Sequence, residues 1–276
     1  MQIRYVFLLL LAISTPGMAA EEQKPVRLLL ISQGPDGHPW NTHEFRAGIR
    51  ILDQLLADVP NLKVTTVDAE KNPRVIPRQI DAADGVVLFV SEGALWIGSD
   101  PERRAAFRRL AERGGGVTAL HWAVGAKDAK YIDVARGLWG GCHGGPDRKH
   151  VVSRQTLMPN ADHPITAGLE PIDIRDEWYY TLKFATEGTL TPLWTTGIDG
   201  NPQTVAWAWE RPDGGRSFGF VGLHFHENWG EETYRRFVSR GVLWTVGLEE
   251  PRPALDLKFN DRDLTEPRPK PEKKEK

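Results

Sequence analysis

VRLLLISQGPDGHPW, residues 26–40, decides the fold. Its first half, Val26–Ser32, is a continuous apolar run, which suits a parallel strand covered on both faces. Its second half breaks at Gly34-Pro35-Asp36-Gly37 into a loop. Two further runs repeat the pattern: Gly85–Val90 (GVVLFV) and Val117–Leu120, the latter leading straight into His121-Trp122. Between them lie helical patterns. Phe45, Ile49, Leu52, Leu55 and Leu56 recur at helical spacing after Thr42, a candidate cap. Ile76–Ala83 forms a short helix. Pro101–Arg113 begins with proline and ends at Gly114-Gly115-Gly116. With a strand over Lys63–Val67, four strands alternate with helices. Such alternation predicts a mostly parallel sheet with right-handed crossovers in an α/β fold.

The second half is less regular. Lys149–Gln155, Leu190–Thr195, Val205–Trp209 and Phe218–Leu223 read as strands, the last two joined by a hairpin at Pro212-Asp213-Gly214-Gly215. Glu231–Val246 reads as a closing amphipathic helix ended by Gly247. Residues 1–20 combine Arg4, an apolar core over Val6–Ile13 and a small-residue end at Ala19-Ala20, a secretory signal pattern. The globular domain is expected over residues 25–248. Residues 249–276, rich in Pro and charge, read as a disordered tail.

Composition narrows the function. Lys and Arg number 35 against 37 Asp and Glu, a net charge of −2, so neither nucleic acid nor an anionic membrane surface is implied. Cys142 is the single cysteine, and no intrachain disulfide can form. Ten tryptophans lean toward a carbohydrate cleft, although any one of them fills a core equally well. The expected partner is a small carbohydrate, with a homodimer left open. The expected location is periplasmic or secreted, with no membrane contact after signal cleavage.

The eight histidines carry the chemical argument, because imidazole serves acid–base work and metal ligation near neutral pH. His224 and His226 close the run FGFVGLHFH. Two residues apart on a strand, they would share a face and suit one divalent metal such as zinc. His121 occupies a strand-to-helix turn that offers no Ser, Cys or Asp, which disfavours acyl transfer and leaves a base, a donor or a metal ligand. In Gly137–Pro146 (GLWGGCHGGP), adjacent Cys142 and His143 face opposite ways. A thiol nucleophile is therefore disfavoured, while His143 remains a cleft donor. Glu177, in Asp176-Glu177-Trp178-Tyr179, is a carboxylate beside aromatics that suits acid–base work or a grip on sugar hydroxyls. The first loop adds His38 and Trp40 at the carboxyl edge of the sheet and lacks the glycine spacing of a nucleotide site.

GGGVTALHWA, GLWGGCHGG, HPITAGL followed by DEWYY, and GFVGLHFHENWG, in this order, resemble the ThuA-like proteins named for trehalose utilisation. The likeness runs from Val26 to Leu248. It implies a three-layer α/β sandwich with the flavodoxin-like layout of class I glutamine amidotransferases but without their nucleophilic cysteine, since Leu120-His121 stands at the elbow. It also implies a role in catabolism of disaccharides or keto-sugars. By position, His121, Glu177 and His224 would carry catalysis, with His143 nearby. Trp122 and Trp178 would stack on the sugar, and His38 and Trp40 would contact it. A keto group acidifies the neighbouring C–H, so His121 or Glu177 could remove that proton, leading to elimination, hydrolysis or isomerisation. His224 and His226 would hold the enolate oxygen directly or through a metal. The alternative is a non-catalytic sugar-binding module.

Overall fold

The computed structural model describes residues 24–251 and 254–270. The expected signal segment, residues 1–20, lies outside them. Among the described residues no helix is long and apolar enough to cross a membrane.

Twelve strands follow in chain order among the described residues: β1 (Val26–Ser32), β2 (Leu62–Asp68), β3 (Gly85–Phe89), β4 (Gly116–Leu120), β5 (Gly125–Ala126), β6 (Gly141–Gly144), β7 (Lys149–Pro159), β8 (Ile172–Tyr180), β9 (Lys183–Phe184), β10 (Thr189–Ile198), β11 (Asn201–Glu210) and β12 (Arg216–Phe220). Nine of them form one sheet in the order β2-β1-β3-β4-β12-β11-β10-β7-β8, and β5-β6-β9 form a small second sheet. The large sheet is parallel from β2 through β12 and antiparallel from β12 to β8. The mostly parallel expectation therefore holds for the half that alternates with helices. The other half is a meander, because short hairpins such as residues 211–215 can only reverse the chain.

Helices α1 (Phe45–Leu56), α2 (Ile76–Ala82), α3 (Gly93–Gly98), α4 (Pro101–Glu112), α5 (Ile132–Leu138), α6 (Glu232–Thr245) and α7 (Asp261–Thr265) fall into two groups. α1 touches α6 and α7, while α4 touches α2 and α3, and α3 touches α5. The α1 stripe predicted from its spacing is buried: Phe45, Ile49, Leu52, Leu55 and Leu56 all lie in the core. Thr42 is not its cap. Glu44 occupies that position, and the Thr42 hydroxyl donates to the Pro39 carbonyl instead.

Most tryptophans are structural. Trp139, Trp178, Trp194, Trp207 and Trp229 are fully buried. The Trp194 ring stacks on Phe237 of α6, with centroids 3.8 Å apart. Trp207 Nε1 donates to the Trp139 carbonyl at 2.6 Å, which anchors its ring over β12.

Two expectations fail. The C-terminal segment is not a free tail over residues 254–270. Leu255 and Leu257 are buried, and α7 packs on α1. Composition misled here, because the Pro- and charge-rich stretch also carries apolar residues at positions that find a groove. The run FGFVGLHFH is not a strand to its end. β12 stops at Phe220, Leu223 takes a left-handed φ of +79°, and a single helical turn begins at His226.

An added methyl on Gly219 of β12 would overlap the buried Trp207 ring, which its bond to Trp139 prevents from moving aside. Gly219→Ala should therefore cost about 1–3 kcal/mol, read as a lowered urea midpoint at unchanged slope. An unchanged midpoint would mean that the indole has room to shift.

Candidate active site: a histidine cluster at the carboxyl edge of the sheet

Four ligand-type side chains meet where the parallel strands end. His43 follows the loop after β1, His121 follows β4, His224 follows β12, and Glu177 comes from β8. Their donor atoms all lie within 4.8 Å of one another. The carboxyl edge of parallel strands gathers such loops whatever their separation along the chain. The backbone is strained at each loop-borne histidine or beside it: φ is +51° at His43, +51° at His121 and +79° at Leu223, next to His224. Non-glycine residues seldom adopt that region, and each case costs about 1–3 kcal/mol. Packing elsewhere holds the strain in place.

Hydrogen bonding sets the ring nitrogens. His121 Nδ1 lies 2.7 Å from the Val221 carbonyl, which only accepts, so Nδ1 carries the proton. His43 Nδ1 lies 2.8 Å from the Asp36 carboxylate and donates to it. Burial pushes Asp36 up, but its bonds to His43 and His38 outweigh burial and leave its carboxyl well below the usual range. Burial holds His121 well below its ordinary pKa, and it lowers His43 against the opposing pull of Asp36. Both rings are thus neutral, and their bare Nε2 atoms face each other at 2.9 Å with no hydrogen between them. His224 Nδ1 completes a triangle, 3.0 Å from His43 Nε2 and 3.2 Å from His121 Nε2. Glu177 Oε2 lies 3.3 Å from His224 Nδ1 and 3.7 Å from His121 Nε2. Burial pushes Glu177 up, while the His224 bond and the neighbouring imidazoles pull it down to about 2, so it is ionised.

These spacings fit a metal better than a hydrogen-bond network. Zinc–nitrogen bonds of about 2.0–2.1 Å in a tetrahedron place ligand atoms about 3.3–3.4 Å apart, and the observed separations straddle that value. Three imidazoles are also a donor set that zinc accepts, with the Glu177 carboxylate beside them.

The surroundings position these groups. Glu177 and Tyr179 share one face of β8, opposite Val152 and His150 of β7. Tyr179 Oη is 3.3 Å from His121 Nε2, and its ring stacks on His121 with centroids 5.1 Å apart. His150 is exposed and lies 3.8 Å from Glu177 Oε1. On the other face of β8, fully buried Asp176 accepts the backbone amides of Leu223 at 2.7 Å and His224 at 3.0 Å. That carboxylate holds the turn presenting His224. Burial raises Asp176 to about 6, against the amide bonds that pull it down.

The structure sorts the residues expected from sequence. His121, Glu177 and His224 converge. His226 does not join them: its ring is buried elsewhere and donates through Nε2 to the Asp263 carbonyl at 2.7 Å. The strand periodicity that paired it with His224 ends at Phe220. Trp178 cannot stack on a sugar, because it lies on the Asp176 face, fully buried, with Nε1 donating to the Ser153 carbonyl. Trp122 is also buried, edge-on to His143 and Tyr179, and forms a wall rather than an open platform. His143 stacks on Tyr179 at 4.0 Å, one layer behind the cluster, and burial lowers it to about 3. His38 is exposed and stacks on His43, ring centroids 3.6 Å apart. Trp40 is half-buried beneath the C-terminal segment, Nε1 donating to the Arg268 carbonyl. Burial raises the Cys142 thiol to about 12, so it stays protonated and unreactive. Sequence reasoning missed His43, Asp36, Asp176 and Tyr179 as parts of the site. The period-two alternation of DEWYY was the available signal for Tyr179, and the position of His43 in the first carboxyl-edge loop was the signal for that residue.

The protein-family model for ThuA, described as trehalose utilisation, matches residues 30–245. The chain belongs to the ThuA family. That description gives this ThuA-family chain a role in sugar catabolism. Among solved structures it is similar to a protein from Bacteroides uniformis described as ThuA-like, with a TM-score of 0.62 and 14% identity over 88% of this chain and 99% of that one. PurLQS from Thermotoga maritima matches with a TM-score of 0.45 and 14% identity over 78% of this chain and 96% of that one. The glutaminase domain of CTPS from Trypanosoma brucei, with bound acivicin, matches with a TM-score of 0.45 and 10% identity over 85% and 100%. None of the curated proteins matches the chain.

Asp176 gives a test of the frame. Asp176→Asn leaves buried amides facing a weaker acceptor and should cost about 1–3 kcal/mol. The raised folded-state value means that Asp176 takes up a proton on folding between about pH 4 and about 6. Its contribution to stability is therefore present at low pH and is lost as pH rises through that window. Urea titrations across the window should show this slope in the native protein and a flatter one in Asp176→Asn. Equal slopes would reject the assignment.

Proposed function

We propose that this ThuA-family chain is a periplasmic or secreted enzyme acting on a keto-glycoside or related disaccharide. His43, His121 and His224 hold one divalent metal, zinc by its donor preference, and Glu177 moves the proton. The observation that carries this reading is the approach of His43 Nε2 and His121 Nε2 to 2.9 Å, on rings whose Nδ1 atoms both face acceptors, with His224 Nδ1 and Glu177 Oε2 beside them. Two lone pairs at that distance repel unless a cation lies between them.

When bound, the metal would act as a Lewis acid toward the keto oxygen. The chain's own groups do the rest. The ionised Glu177 carboxylate accepts the proton next to the keto group. The C–H electron pair forms the enolate, and departure of the glycosidic oxygen gives elimination, while reprotonation at the neighbouring carbon gives isomerisation. Tyr179 and buried His143 and Trp122 wall the cluster and keep bulk water from its inner side. His38 and His150 are exposed beside the cluster, and a sugar would approach past them. The reading takes the fold as the three-layer, flavodoxin-like sandwich of class I glutamine amidotransferases, with His121 where those enzymes carry their nucleophile. The sugar-binding-module alternative is weaker, because two of the indoles it needs, Trp122 and Trp178, are buried.

Protein purified without chelator should contain about one zinc or similar ion per chain by elemental analysis. His43→Ala, His121→Ala and His224→Ala should each lose most of it. Glu177→Gln should retain metal and lose about 10²–10⁴-fold in turnover of a 3-keto-disaccharide. Metal-free protein that turns over the sugar at full rate, or Glu177→Gln with native turnover, would reject the mechanism.

A further inference from the structure

The C-terminal segment reaches two of the three loops that carry the cluster histidines, those of His43 and His224. It is anchored first by buried Leu255 and Leu257. The Asp263 carboxylate of α7 then accepts Arg50 Nε at 2.6 Å and Gln54 Nε2 at 2.9 Å from α1. The Asp263 carbonyl accepts His226 Nε2 at 2.7 Å, two residues beyond His224. Five residues further on, Arg268 closes over the first loop. Its Nε pairs with Glu44 Oε1 at 2.8 Å, and its Nη2 donates to the carbonyls of His38 at 3.1 Å and Pro39 at 2.9 Å. In return the Arg268 carbonyl accepts Trp40 Nε1 at 3.1 Å, and Lys270 lies over the Trp40 ring.

The loop needs such a restraint. Residues 33–44 carry no helix and no strand, only an isolated bridge from Thr42 to Phe225. Two glycines and two prolines within Gly34–Pro39 leave few amides for internal bonds. Yet the loop bears Asp36, which orients His43, and it delivers His43 at a left-handed φ. Glu44 is nearly inaccessible, with 4% of its side chain exposed, and it spans the apex, also accepting the Asn41 amide at 2.9 Å. A planar guanidinium can reach one carboxylate and two carbonyls at once, which an ammonium cannot do in the same geometry.

We propose that Arg268 is a positioning residue of the centre. It clamps the His38–Glu44 arc so that Asp36 and His43 stay in register with His121 and His224, and the C-terminal segment is a strap belonging to the site. The metal part of this inference rests on the function proposed above, whereas the clamping of the loop does not.

The test uses full-length Arg268→Ala and Arg268→Lys, with zinc alone as the probe, competed against a chelating indicator. Amide hydrogen exchange over residues 36–44 of metal-free protein is measured alongside. Arg268→Ala should weaken zinc binding about 10–100-fold, the range for groups that orient a ligand from outside the coordination shell, and should speed exchange in the loop. Arg268→Lys should fall between Arg268→Ala and the native protein. Faster exchange with zinc affinity within about twofold of native would overturn the positioning role, as would unchanged exchange. If the native protein binds no zinc, the metal reading of the site fails. The strap is then decided by exchange alone, faster exchange supporting it and unchanged exchange rejecting it. Should Arg268→Ala not fold, Trp40→Phe removes the reciprocal N–H bond and is judged by the same two readouts.

Discussion

Two neutral imidazoles with their lone pairs turned toward each other at 2.9 Å are the constraint around which the rest of this site is arranged. Each ring is locked in that tautomer by a group that can only accept: the Val221 carbonyl for His121 and the ionised Asp36 for His43. Burial removes the usual escape, since it disfavours the charged form of either ring more than Asp36 favours it at His43 or Glu177 at His121. Left-handed backbone at His43, His121 and Leu223 adds a further cost. A fold selected for stability alone would not keep three strained residues and a pair of opposed lone pairs in one small volume. Their concentration at the carboxyl edge of the parallel strands marks the place where a ligand is expected.

The scaffold makes that concentration possible through its division of labour. The parallel strands deliver His43, His121 and His224 from three different loops. The antiparallel β7–β8 ribbon contributes Glu177 and Tyr179 from one face and uses the other for anchoring. Asp176 is the link between these elements, one residue from Glu177 and accepting the backbone amides of Leu223 and His224. Adjacent carboxylates on a strand point opposite ways. One therefore faces the histidine cluster while its neighbour holds the Leu223–His224 turn, and their environments drive them apart: Glu177 is held at about 2 and Asp176 at about 6.

The C-terminal segment shows how composition alone misleads. Pro- and charge-rich sequence lowers the drive to bury surface, but a few apolar residues and one arginine suffice when a groove and a buried carboxylate await them. Leu255, Leu257 and Arg268 supply that minimum here. Trp40 changes meaning accordingly. From sequence it is a candidate sugar contact, whereas in the fold its Nε1 donates to the Arg268 carbonyl of the C-terminal segment.

The linear chain settles the class of fold. Continuous apolar runs at 26–32, 85–90 and 117–120, punctuated by helical stripes, admit little besides a covered parallel sheet, and the ordered motifs point to the ThuA family. The chain also singles out His121, Glu177 and His224, which the fold brings within 4.8 Å of one another, because each stands at a strand end or on an alternating strand where local periodicity is informative. Tertiary structure decided everything that depends on where periodicity stops. β12 ends three residues before Leu223, so His224 and His226 part company. Alternation along β8 sends Trp178 into the core and Tyr179 into the site. His43 joined the cluster, and the C-terminal strap closed over Trp40, through contacts between residues some 180 to 230 positions apart. No local pattern encodes such contacts, because they are set by the packing of whole elements rather than by the spacing of neighbours.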